Sequence, residues 1–577
     1  MPRGPRLPGL GPGSPAAPWN LALTGALTAL AVLLAWLHRW AGDDSLIYTR
    51  AVRQILAGNG PVLTAGERVE TSTGTLWQWL VAAASWPGAD PLTVAVYLGL
   101  PCTAVALALG VRAACRFHGT GLRMLPVGVL VPLGVEVFWD YGTSGLETSL
   151  VFAWLAAAWW LLVTGYAVPA GRRHLVTCVV LSLGPLVRPD MALVSVVFAA
   201  ALWWTVRPGV RTSALWALAA TALPLAHEVF RAGYYGLLVP MPAIAKEAGQ
   251  PLWERGFVYL GDFTTPYLLW IPLALLGLSG ALALLRGRSA RAGRGRAVVA
   301  GAPVLAGLLS WVYVVRVGGD FMHGRMLLPG LFLALLPVLV LPARRTTLAL
   351  ALALAAWAVP CALLWQAPLR GGDTMYTVYN QRLNYQDTTG QRHPITQRDH
   401  GARPLQLTTQ LRRAQASGAR SLVVEYVYRK RFATLPLRAD RPGPVALGAV
   451  ALGHAGVVTP LDGRLVDIMG LGSPFGGHIH PYWFGKAGHE KALDPAWIIA
   501  DSTPPGTVPP PGVDPAKVAA ARRALGCPVL RDMLAAARAP LTPHRFWTNL
   551  TGAWERGAVR FPNDPRAAEP VLCADRP

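Results

Sequence analysis

Charge is scarce in this chain. Of its 577 residues, 14% are Asp, Glu, Lys or Arg, against about 25% in an ordinary soluble protein. With 53% hydrophobic residues and apolar runs recurring near the ~20 residues a bilayer core demands, the deficit excludes a conventional soluble enzyme. Lysine is nearly absent, so the formal charge of +22 is an arginine charge. Most of it lies in short loops between apolar segments, whereas a nucleic-acid binder gathers its cations on one soluble face. The six cysteines are too few for a disulfide scaffold. Cys102, Cys115, Cys178 and Cys361 read as small hydrophobes. Cys527 and Cys573 share the polar C-terminal part and form a candidate disulfide in an oxidising compartment. No small-x-small cleavage site follows the first apolar run, so Arg3 and Arg6 precede an uncleaved span. A fixed-period repeat is missing, as is the tandem pseudo-symmetry of many transporters, which argues against a carrier.

What is present is a series of apolar runs. They predict eleven spans, at 20–38, 91–111, 124–139, 146–165, 174–187, 190–206, 212–230, 266–285, 298–315, 326–342 and 346–366. Thr75 to Trp86 is apolar but short, and reads as interfacial or re-entrant. Alternate loops carry arginine without any acid: Arg112 and Arg116, Arg172 and Arg173, Arg207 and Arg211, Arg286 to Arg296, Arg344 and Arg345. The intervening loops hold essentially every acid of the membrane half, from Asp43 to Asp320. Charge sign and apolar length together predict a cytoplasmic N-terminus and an external C-terminus. Residues 1–366 then form a transmembrane catalytic domain. Residues 367–577, with strand-like Ser421 to Tyr428 and a helix from Asp514 to Gly526, form an extracytoplasmic soluble α/β domain.

Two adjacent acids, Asp43 and Asp44, follow the first span. Beyond them, Ile47, Tyr48, Ala51, Val52, Ile55 and Leu56 recur at helical period, which predicts an amphipathic helix on the external surface, with one Asp as its N-cap. The same rim receives "GLET" with Glu147, "RPD" with Arg188 and Asp190, "YYGLLVPMPAIAK" with Tyr234, Tyr235 and Lys246, and "GGDFMHGR" with Asp320, His323 and Arg325. Charge beside spans is costly, so such a gathering points to a functional cavity. Carboxylates can take a proton from an acceptor hydroxyl. Arginine and lysine can neutralise a departing phosphate, and aromatic rings pack on sugar faces. The chemistry this suits is sugar transfer from a lipid phosphate. A mannosyl or other hexosyl transferase, and a non-catalytic lipid-linked glycan flippase or assembly factor, stand as alternatives.

In this order, "DD", "GNG", "GERVE", "GLET", "RPD", "YYG…P…AK", "GGDFMHGRMLLP", "VDIMGL" and "GHEK" resemble the terminal β-(1→2)-arabinofuranosyltransferases of actinobacterial cell walls. The resemblance runs over nearly the whole chain. It implies a GT-C fold, a decaprenyl-phosphate arabinofuranose donor and a cell-envelope polysaccharide acceptor at the plasma membrane. It implies catalysis by Asp43 and Asp44, as nucleophile, base or ion-pair stabiliser. Donor phosphate and sugar fall to Arg188, Asp190, Lys246, Asp320, His323 and Arg325, and acceptor contacts to Glu70, Glu147, Tyr234 and Tyr235. No cofactor is implied with certainty, although an acidic pair can bind a divalent cation through oxygen ligands. Met241 stands where the family pattern has Asn, which predicts one missing polar contact.

Overall fold

The computed structural model describes residues 16–286, 291–364, 376–402, 405–427 and 430–574. Arg3, Arg6, Arg288 and the expected domain boundary at 366–367 lie outside the described residues. The chain is mostly helical. Six described helices are long and apolar enough to cross a membrane: Ala17–Leu37, Pro91–His118, Thr148–Gly165, Val210–Tyr235, Arg294–Arg316 and Arg345–Leu364. Met191–Val206, Trp270–Gly280 and Leu328–Val338 are shorter apolar helices.

The eleven expected spans are therefore not eleven continuous helices. The run at 124–139 divides into strand β1 (Met124–Pro126) and the helices Leu130–Gly134 and Glu136–Asp140. The run at 174–187 breaks after Ser182, and Pro185 opens a new turn at Gly184–Val187. The run at 326–342 is an eight-residue helix, Leu328–Leu335, then a 3-10 turn and strand β2 (Val340–Pro342), which pairs antiparallel with β1. Pro185 and Pro337 open short pieces at two of the breaks, where the ring removes an N–H from the ladder, whereas Pro101, Pro224, Pro303 and Pro360 lie inside continuous helices.

The longest of these helices, Pro91–His118, packs along Thr148–Gly165. Asp90 caps it, accepting from the Thr93 N–H at 3.2 Å, with Pro91 at the first helical position. Buried tryptophans find partners: the Trp159 indole donates to the Val299 carbonyl at 3.0 Å. Without an acceptor that N–H would cost about 1–3 kcal/mol.

The C-terminal part holds a mixed sheet of β3 (Ser421–Val427), β4 (Arg431–Pro436), β5 (Val445–Ala449) and β6 (Arg464–Asp467), ordered β4-β3-β5-β6. Only β3–β4 is antiparallel. β5 and β6 are buried throughout, as parallel strands covered on both faces must be. Leu422, Val424, Ala446 and Val466 pack toward the helices of 495–573, whereas Val423, Leu447 and Leu465 pack toward Gln406–Ala416. Cys527 and Cys573 are joined by a disulfide, and the other four cysteines are free.

Asp43–Leu56 forms the expected amphipathic helix, here called the rim helix, but its N-cap is Gly42 rather than an aspartate. It packs on the Leu452–Val458 helix of the C-terminal part. Arg50 is 1% exposed and donates to the carbonyls of Leu63, Gly456, Thr459, Pro460 and Gly463. It staples the rim helix to the C-terminal part.

Candidate active site

Asp43 and Asp44 are consecutive on the rim helix and so diverge by about 100° around its axis. Asp43 accepts the N–H groups of Gly453 and His454 at 2.9 and 2.8 Å. Asp44 turns to Arg325, whose Nη1 lies 3.9 Å from its Oδ2. No hydrogen bond fixes the Asp44 carboxylate among the described residues. Burial raises its affinity for a proton above the usual carboxylate range. Lys246 and then Arg325 oppose that rise, while Asp320 and Asp43 add to it.

Arg325 is the hub of the cluster. It donates from Nη2 to Glu147 Oε1 at 3.0 Å, and its Nη1 lies 3.5 Å from Asp320 Oδ2. The Glu147 side chain has no exposure, and Arg188 Nη1 faces it at 4.0 Å. Arg188 forks onto Asp190, Nε to Oδ1 at 2.6 Å and Nη2 to Oδ2 at 2.7 Å. Glu147 Oε2, Arg188 Nη1 and Arg325 Nε are buried without a hydrogen-bond partner. Buried polar atoms are rarely left this way. Two open cationic donors beside a carboxylate acceptor suit an anionic, hydroxyl-rich ligand.

Local backbone makes this convergence possible. A Cβ at Gly74 would lie 3.1 Å from Tyr48 Oη and 3.3 Å from Glu147 Cγ. The Gly74 N–H instead reaches Tyr48 Oη at 2.8 Å. Lys246 ends the short helix Met241–Ala245, and no carboxylate pairs with its ammonium among the described residues. Met241 is 1% exposed in an apolar cluster with Val69, Leu237 and Ile244. That position packs in an apolar cluster, where the methionine side chain makes no hydrogen bond among the described residues.

The other sequence candidates sit apart. His323 places Nδ1 2.6 Å from Asp262 Oδ2 and Nε2 3.2 Å from Tyr267 Oη, forming a separate chain beside the cluster. Glu70 pairs with Arg231, whose Nε lies 2.6 Å from Oε2. Tyr235 donates to the Pro61 carbonyl at 2.9 Å, and Tyr234 stacks on Phe230 at 5.0 Å. These three brace the 58–74 loop. Tyr48, Asp262, Tyr267 and Arg231 were not singled out as site residues from the sequence, and Glu490 and Lys491 entered only within the "GHEK" motif, with no role given to them. Tyr48 read as part of an apolar face, and only its hydroxyl gives it away.

Asp43 and Asp44 have different partners, so they do not converge on one cation. Among the described residues, His38, Glu136 and Asp140 bring ligand atoms within 4.8 Å of one another. Arg382 already occupies that group, with Nε 2.7 Å from Asp140 Oδ1 and Nη2 on Glu136.

Comparisons with known proteins identify the family. Residues 408–569 match the AftB family C-terminal domain. A terminal β-(1→2)-arabinofuranosyltransferase of Mycobacterium tuberculosis is 34% identical, covering 95% of this chain and 96% of its own. A protein of the same name from Corynebacterium glutamicum is 32% identical, covering 92% of this chain and 85% of its own. No solved structure matches.

Proposed function

The chain belongs to the terminal β-(1→2)-arabinofuranosyltransferase family, and from that premise we propose that it moves arabinofuranose from decaprenyl phosphate to a cell-envelope glycan. In this reading the scaffold is of GT-C type, with residues 1–366 as the membrane domain and 367–577 as an extracytoplasmic domain. The N-terminus is cytoplasmic and the rim helix lies at the outer surface. One observation carries the site assignment: Asp44 stands unbonded, facing Arg325, in a cluster with three buried polar atoms left open.

In the reaction, the bond from the anomeric carbon to the phosphate oxygen breaks. A new bond forms from that carbon to the acceptor hydroxyl oxygen. Asp44 faces the positive charge that builds on the sugar, and its raised proton affinity suits it to take the hydroxyl proton. Lys246, Arg325 and Arg188 neutralise the departing phosphate. Glu147, Asp190 and Asp320 hold those cations in place and meet sugar hydroxyls. Asp43, whose oxygens both serve the Leu452–Val458 helix, positions Asp44 and does not touch substrate. His323, oriented by Asp262, lines the same rim.

The test is turnover of purified enzyme in nanodiscs with radiolabelled decaprenyl-phosphoryl arabinose. Asp44→Asn is expected to lose about a thousandfold in rate. Near-native turnover by that variant refutes the catalytic assignment. Transfer of mannose but not arabinose by the native enzyme refutes the sugar assignment.

A further inference from the structure

The "GHEK" motif of the C-terminal part is distant in sequence from the cluster. The side chains of Glu490 and Lys491 nevertheless have no exposure at all. Lys491 Nζ donates to Glu247 Oε1 at 2.5 Å, to the Ile244 carbonyl at 3.0 Å and to the Gly477 carbonyl at 2.6 Å. Ile244 and Glu247 bracket Lys246. Glu247 holds a left-handed backbone, with φ of 48°, and Arg560 secures it from the other side at 2.9 Å. A Cβ on Gly488 would lie 3.2 Å from Lys246 Cε, so the motif lies directly along the Lys246 stem.

Glu490 turns the other way. Its Oε1 accepts from Arg255 Nη1 at 2.8 Å. Arg255 donates in turn to the carbonyls of Gly318 at 2.8 Å and Val317 at 3.3 Å. Gly318 opens the segment that carries Asp320 and Arg325. Adjacent residues of one loop thus grip the two segments that supply cations to the site. Fully burying a lysine and a glutamate is costly, and as stability devices apolar residues would serve as well.

We infer that Glu490–Lys491 is a cross-brace, a pair of positioning residues that fixes Lys246 against the Asp320–Arg325 segment so that their cations meet one donor phosphate. This rests on the donor-phosphate reading above. The C-terminal part therefore completes the transfer site instead of serving only as an accessory.

Decaprenyl phosphate binding to the full-length protein in nanodiscs, read without any sugar transfer, tests the brace. Lys246→Met and Lys491→Met are each expected to weaken binding by about ten- to a hundredfold, as misplacement by an ångström can. The double variant should bind no more weakly than Lys246→Met alone, and Lys491→Arg should recover part of the loss. Lys491→Met should also move the acid limb of turnover in the same direction as Lys246→Met, a change that general destabilisation does not produce. Multiplicative losses in the double variant, or native binding by Lys491→Met, overturn the brace. If Lys491→Met does not fold, Glu490→Gln is read for donor KM, expected to rise about tenfold; a native KM overturns it. Native protein that binds decaprenyl phosphate but transfers no arabinose refutes the sugar reading alone. Native protein that does not bind it overturns the brace and the donor reading together.

Discussion

Asp43→Ala separates the two adjacent acids most cleanly. The Asp43 carboxylate accepts two N–H groups, from Gly453 at 2.9 Å and His454 at 2.8 Å, at the start of the Leu452–Val458 helix. A hydrogen bond to a charged acceptor contributes about 1.5–3 kcal/mol, and a negative charge at a helix N-terminus about 0.3–1 kcal/mol more. The site is only partly buried, so the lower end applies, about 3 kcal/mol in all. Converted at 1.4 kcal/mol per decade, that is roughly a hundredfold faster opening of the helix start. Hydrogen exchange followed by mass spectrometry on peptides covering 450–463 should show it in Asp43→Ala and not in Asp44→Asn. Turnover should fall far less in Asp43→Ala than in Asp44→Asn. Unchanged exchange in Asp43→Ala, with turnover lost as completely as in Asp44→Asn, would refute the division of labour.

Three further outcomes are expected. Because burial raises the Asp44 pKa while Lys246 opposes the rise, the active carboxylate form is lost as pH falls through a value above the ordinary 3.8. Lys246→Met should move the acid limb of kcat/KM to higher pH and Asp320→Asn to lower pH; a limb unmoved by both rejects Asp44 as the titrating group. Burial likewise raises Asp467 to about 6 from 3.8, against N–H bonds from Gly472 and Met469. A raised carboxyl pKa contributes stability that is full below about pH 4 and lost as pH rises through 6, roughly 3 kcal/mol. Asp467→Asn should therefore gain thermal stability relative to the native chain between pH 4 and 7, and a constant difference across that range counts against it. Opening the Cys527–Cys573 bond, which closes a separation of 46 residues, should cost about 2–4 kcal/mol, seen as a lower unfolding temperature for Cys573→Ser; an unchanged temperature removes the bond as a stabiliser.

Hydropathy made much of the membrane part legible, because six long apolar helices among the described residues leave a mark that no short motif can mimic. It did not show which apolar runs are continuous helices, and proline alone does not decide it, since Pro101, Pro224, Pro303 and Pro360 lie inside unbroken ones. Pro132 and Pro185 sit in segments as greasy as any span, yet the backbone there breaks into single turns. Composition records how apolar a segment is, not whether its hydrogen-bond ladder is continuous. The rim helix was readable from its 3.6-residue period, and the cluster's members from their charges beside apolar runs. Their partners were not. Asp43 and Asp44 have the same side chain at adjacent positions, and the feature that distinguishes them, the Gly453 N–H, is 410 residues away. Glu70 and His323 were readable as candidates in the same way as Arg325, from charge beside apolar runs. Only the fold shows that Arg231 and Asp262 already engage them.

In the proposed reaction Asp44 must be held in place without being tied up, and the rim helix provides such a restraint. A hydrogen bond to Asp44 itself would fix its position but lower its proton affinity and occupy a lone pair. The neighbours carry the restraint instead. On one side Asp43 binds the Leu452–Val458 helix through two N–H groups. On the other, Ser45 donates to the Ser144 carbonyl at 2.7 Å, tying the helix to the loop that presents Glu147. Two turns on, Arg50 grips five carbonyls. Asp44 thus stays between two anchored residues with its oxygens open, which is what electrostatic preorganisation requires of a group that must meet charge only in the transition state. It follows that Ser45→Ala, a residue touching no substrate, should slow transfer by allowing Asp44 to drift relative to Arg325, and should do so without altering exchange at 453–458.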